Sequence, residues 1–142
     1  MAGRLLLLVV AWLLVPSWAL GQSKDSFSSD RQGTWSGFYW YPHGASQRPV
    51  PFTFNMNVAK DRVSGRITEP NTFGQPSAQN LYANVSGDMR GSVLRFTKTY
   101  DGTGGQSHSV LYEGHIVDLG ATVVGYWRID NTVGGFTMRR DQ

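Results

Sequence analysis

From residue 33 to residue 140 the chain is written in short runs that alternate apolar and polar side chains, divided by clusters of Gly, Pro, Asn and Asp. A two-residue period puts successive side chains on opposite faces of a strand. The clearest run sets Phe52, Phe54, Met56 and Val58 against Thr53, Asn55 and Asn57. The pattern predicts eight strands: Thr34 to Tyr41, Pro51 to Val58, Arg62 to Glu69, Leu81 to Asp88, Ser92 to Tyr100, His108 to Val117, Thr122 to Ile129 and Gly135 to Arg140. Connections as short as Ala59-Lys60-Asp61 and Met89-Arg90-Gly91 force antiparallel neighbours. The simplest fold is all-β, an eight-stranded antiparallel up-and-down (meander) β-barrel over residues 33–140.

The same alternation assigns an interior. Val63, Gly65, Ile67 and Glu69 point inward from the third strand, and Leu81, Ala83, Val85 and Gly87 from the fourth. The fifth contributes Leu94, Phe96, Lys98 and Tyr100, and the sixth Val110, Tyr112, Gly114 and Ile116. Val123, Gly125, Trp127 and Ile129 follow from the seventh, then Phe136 and Met138 from the eighth. The first strand is apolar on both faces; Trp35, Gly37, Tyr39 and Tyr41 form its inward set.

The N-terminal segment has another character. Arg4 precedes an apolar run from Leu5 to Val15, too short to span a bilayer, and Pro16 and the small-residue Ala19-Leu20-Gly21 follow. This predicts a cleavable signal peptide over residues 1–21, cleaved after Gly21, and hence a secreted or periplasmic protein with no stable membrane span. Residues 22–32, polar and serine-rich, read as a disordered lead-in. Without the signal the chain keeps four leucines (Leu81, Leu94, Leu111, Leu119) against 15 glycines and 16 aromatic residues, a balance that favours strands and turns over helices.

Absence of cysteine excludes disulfides, thiolate metal sites and thiol chemistry. A net charge of +3 over the whole chain is too small an excess to point to nucleic acid. The sequence has no G-x-S-x-G, H-E-x-x-H or Walker loop, so it specifies no catalytic residues, metal or cofactor. Asn84-Val85-Ser86 is a glycosylation sequon, meaningful only in a glycosylating secretory pathway.

Up-and-down strand order places the long connections after strands one, three and five at one end, where an antiparallel barrel opens and binds. Tyr39, Tyr41, Phe54, Glu69, Phe96, Lys98, Tyr100, Tyr112 and Trp127 are the candidate ligand-binding residues there, with Phe52, Ile67 and His108 beside them. Aromatic area with one cation and one carboxylate suits a small amphipathic ligand. Lys98 and Glu69 would either reach water at the rim or pair as an anchor for a polar head.

Gly33-Thr34-Trp35 opens the first strand as G-x-W, and arginines 139 and 140 end the last. With the meander between them, the chain resembles the calycin superfamily of avidin-like and lipocalin-like barrels, avidin-like in its strand lengths. The resemblance implies that Arg139 or Arg140 lies over the Trp35 indole and closes that end, a cation–π contact worth about 0.5–2 kcal/mol. It does not imply biotin. Avidins carry a serine and tyrosine where this chain has Ile67 and Glu69, and an aspartate where it has Gly134-Gly135; Trp127 alone matches a ligand-facing position. Two alternatives stay open. One is a filled, self-associating or protein-binding module using exposed Phe38, Trp40, Val124 and Tyr126 as a homo-oligomer face. The other is a small barrel isomerase or cyclase acting through Lys98, Tyr112 or Glu69.

Overall fold

A computed structural model describes residues 31–142; the predicted signal peptide and all but the last two residues of the lead-in lie outside the described residues. Eight strands follow in chain order: β1 (Gly33–Trp40), β2 (Val50–Ala59), β3 (Arg62–Pro70), β4 (Asn80–Arg90), β5 (Val93–Tyr100), β6 (Ser109–Val117), β7 (Thr122–Ile129) and β8 (Thr132–Arg140). Each pairs antiparallel with the next, and β8 returns to β1 with Tyr39 opposite Phe136 and Trp35 opposite Arg140. The result is a closed meander barrel without free sheet edges. Among the described residues no helix is long and apolar enough to cross a membrane.

Burial alternates as the side-chain pattern requires. On β2, Phe52, Phe54, Met56 and Val58 are buried while Pro51, Asn55 and Asn57 are exposed. Two ends differ from the sequence expectation by more than one residue. β4 continues to Arg90, and β8 starts at Thr132 where the glycines had suggested Gly135. In both places the reason is a tight two-residue turn, Gly91-Ser92 and Asp130-Asn131, each with a left-handed first residue (φ 58° and 49°).

Gly114 and Gly125 face each other across β6 and β7. A methyl on Gly125 would run into the Glu113 carbonyl oxygen and the Gly114 Cα, so the two backbones can approach only because neither carries a side chain there. That close approach leaves the interior to large rings. Phe96 stacks on Tyr112 with centroids 4.8 Å apart, Tyr112 meets Phe136 edge-on at 5.1 Å, and Phe54 leans on Phe96 at 5.5 Å. The middle of the barrel is therefore filled.

The end opposite the long loops is closed by Trp35, which is wholly buried. Its Nε1–H donates to the Arg31 carbonyl at 3.0 Å, and the Arg31 guanidinium donates to Met89 Sδ at 3.0 Å and Gly91 O at 3.1 Å. Arg31 is 6% exposed. This corrects the reading of residue 31 as disordered lead-in: the residue lacks a strand pattern because its partners lie on β4 and its turn, far along the chain. Arg140 does sit opposite Trp35, but Arg139 and Arg140 are both exposed, and the buried guanidinium at this end is that of Arg31.

Candidate functional site

At the open end, inward positions of five strands converge. Tyr39 comes from β1, Glu69 from β3, Lys98 and Tyr100 from β5, Tyr112 from β6 and Trp127 from β7. Tyr41 follows β1 and packs partly buried against the same core. Alternation makes Phe96, Lys98 and Tyr100 successive inward residues of β5, and the rings over the ammonium are those of Tyr100 and Tyr39.

Lys98 and Glu69 are among the most deeply buried side chains, each 1% exposed. They do not reach water at a rim. Lys98 Nζ donates to Glu69 Oε2 and, at 2.8 Å, to the Tyr100 hydroxyl; Tyr100 in turn donates to Glu69 Oε1. Tyr39 O–H donates to Glu69 Oε1 at 3.3 Å. The ammonium also lies 4.5 Å from the Tyr100 ring centre and 5.1 Å from that of Tyr39. Burial pulls the Lys98 proton affinity down, and the Glu69 carboxylate raises it back in part. Burial, then the charge of Glu69, pushes both tyrosine hydroxyls far above the ordinary phenol range, so they remain protonated donors. The cluster is thus a complete neutral network, with the carboxylate accepting three bonds.

Above this network opens a cavity of about 230 Å³. Tyr39, Tyr41, Tyr100, Tyr112 and Trp127 line it, with Phe73, His108, Val110, Ile129 and Thr132. Tyr39, Tyr41 and Trp127 meet edge-to-face, with centroids 5.3 to 6.3 Å apart. The Trp127 indole is held by its N–H, which donates to the Trp40 carbonyl at 3.1 Å. Five of the nine expected ligand residues therefore meet at one cavity. Glu69 and Lys98 lie beneath its floor, sealed by the tyrosines they hold, and Phe54 and Phe96 belong to the packed layer below.

Phe73 was not expected. It rides on the β3–β4 connection and leans over the mouth onto Tyr100 at 5.6 Å and His108 at 5.9 Å. Asn71 ties that loop: its Nδ2 donates to the Gln75 and Ala78 carbonyls, and its Oδ1 accepts from Gly74 N–H at 2.6 Å. Asn-x-x-Gly in the sequence is the one local signal of such a turn. Two polar residues of the cavity wall, Tyr112 and His108, stand outside the hydrogen-bonded network of Glu69, Lys98, Tyr39 and Tyr100. Larger depressions, of about 300 Å³ around Arg95 and Glu113 and about 430 Å³ around Arg139 and Arg140, lie on the outer wall and at the closed end among charged surface side chains. Among the described residues no three His, Asp or Glu side chains are grouped to hold a metal ion.

His108 packs against Tyr100 at 4.7 Å, and burial lowers its proton affinity, helped by Lys98 and opposed by Glu69. The unfolded imidazole binds its proton more tightly, with an ordinary value of 6.5, so the stabilisation is fully present above that value, starts to fall as pH drops below it and is gone below the lowered folded value. Thermal melts on either side should show this loss in the wild type and a smaller one in His108→Phe. Equal losses in the two would rule His108 out as the source.

No protein-family model matches this sequence, and no curated protein matches it. The barrel and its mouth define the class on their own: a closed eight-stranded antiparallel β-barrel with an aromatic cavity at one end.

Proposed function

We propose that the barrel binds a small amphipathic molecule in its open end, other than biotin, and that it does so as a secreted or periplasmic member of the calycin-like barrels. One observation carries this reading: the interior is packed solid except at the mouth, where six aromatic side chains surround about 230 Å³. An apolar cavity of about 150 Å³ is enough for a benzene. The space here suits a one- or two-ring molecule, held by aromatic area and oriented by the Tyr112 hydroxyl and His108. G-x-W at residues 33–35 and the closed meander support the calycin-like kinship. The Leu5 to Val15 run supports export.

The buried network supports binding over catalysis. Glu69 and Lys98 spend their charges on each other and present no atom to the cavity, so acid–base roles for either lack a substrate-facing group. Phe38 and Trp40 on β1 and Val124 and Tyr126 on β7, 42–51% exposed on either side of β8, favour self-association as a second, compatible reading, since that face lies outside the barrel.

Native mass spectrometry of protein purified from its own host tests the binding directly. The expected result is a non-covalent small-molecule adduct in the wild type that is lost in Val110→Phe, which fills the cavity from β6 while the barrel still folds. An adduct retained at full occupancy in Val110→Phe, or an empty wild type that no aromatic compound stabilises, would sink the reading.

A further inference from the structure

Beside the aromatic cavity lies a second one of about 190 Å³, and Tyr41 forms part of both walls. The second is lined by Arg48 and Gln47 together with Pro49, Pro51 and Pro70. We propose that the molecule bound in the mouth is a small aromatic carboxylate, its ring in the aromatic cavity and its carboxylate on Arg48. This rests on the mouth being a binding site at all, and adds the charge and reach of the ligand.

Three observations converge on an anion. First, neither cavity has a carboxylate in its lining. Second, the carboxylates nearest the mouth in the fold are already satisfied: Glu69 by Lys98, Tyr39 and Tyr100, and Asp101 by Arg66 at 2.8 Å with the Thr103 amide at 3.0 Å. Asp130, in the β7–β8 turn, lines neither space. Third, the Arg48 side chain makes no hydrogen bond or ion pair among the described residues. Arg48 is exposed, and a guanidinium that bonds to no other described residue at the edge of apolar space can exchange water for a bidentate carboxylate.

The backbone favours holding the arginine there. Pro49 confines Arg48 to extended conformations, and the prolines of the wall lack the freedom to collapse into the space. Tyr41 lines both cavities and meets Trp127 edge-to-face at 5.3 Å, so it is the wall that a molecule spanning the two would pass. The buried Lys98 gives no competing anchor, because its charge is cancelled at short range below the floor.

The test compares 3-phenylpropionate with the isosteric neutral 3-phenylpropionamide by isothermal titration calorimetry on the intact barrel. Wild type should bind the acid about tenfold more tightly than the amide, the scale of one charge-assisted contact at a partly solvated site. In Arg48→Gln that preference should vanish with amide binding unchanged, and Arg128→Gln, on the outer wall, should leave the preference intact. Equal binding of acid and amide by the wild type, or a preference that survives in Arg48→Gln, overturns the carboxylate assignment while the mouth remains a binding site. If neither compound binds, the mouth reading falls and this inference falls with it.

Discussion

Glu69→Ala is expected to cost the barrel about 3–5 kcal/mol, a large share of a whole stability of about 5–15 kcal/mol. The loss would not measure how much the ion pair stabilises. Removing the carboxylate strands the Lys98 ammonium at 1% exposure and leaves the Tyr39 and Tyr100 hydroxyls without their acceptor. Glu69→Gln paired with Lys98→Met removes both charges and keeps an acceptor oxygen for the tyrosines. Chemical denaturation should place the double variant within about 1–2 kcal/mol of the wild type. A single variant as stable as the wild type, or a double variant as unstable as the single, would show that these groups are not the closed network described.

The second large effect lies at the other end of the barrel. Trp35 is 0% exposed, packed where β1 meets both β2 and β8, and anchors the chain before β1 through its bond to the Arg31 carbonyl. Trp35→Ala should cost about 3–5 kcal/mol, from the loss of aromatic burial and the cavity it leaves. Trp35→Phe keeps most of the ring and loses one hydrogen bond, so about 1–2 kcal/mol is expected by the same measurement. Near-equal stability of Trp35→Ala and wild type would mean that the closed end is sealed by something other than this indole.

The two ends were not equally legible in the sequence. Strand count, order and inward faces follow from alternation, because in a barrel with one face in the core every second residue is constrained. β2 shows this most plainly. Glu69 and Lys98 stand on β3 and β5, which are joined only through β4, so their meeting depends on the curvature of a closed sheet and not on any local pattern. Arg31 fails for a related reason: its partners, Met89 Sδ and Gly91 O, are 58 and 60 residues away, and nothing in a serine-rich segment marks it for burial. Phe73 sits in a loop whose shape comes from Asn71 and from Gln75 N–H donating to Gly104 O. Phe54 and Phe96 were placed on the correct face but too near the mouth, since alternation fixes a side and says nothing about depth.

What emerges is a division of labour along the barrel axis. Stacked rings fill the middle, a buried tryptophan closes one end, and a neutral polar network fixes Tyr39 and Tyr100 as the floor of the cavity at the other. The network offers no free charge to the cavity above it, so on the proposed reading selectivity rests with the rings, Tyr112, His108 and the neighbouring Arg48.

Binding at the mouth is tested most directly by the indole N–H resonances of an ¹⁵N-labelled barrel during titration with 3-phenylpropionate. Trp127 lines the cavity and Trp35 lies at the far end, so one spectrum carries both the probe and its internal control. The expected result is a saturable shift of the Trp127 Nε1–H signal with the Trp35 signal unmoved. A Trp127 resonance that stays fixed at saturating ligand, or one that moves together with Trp35, would contradict a binding site at the open end.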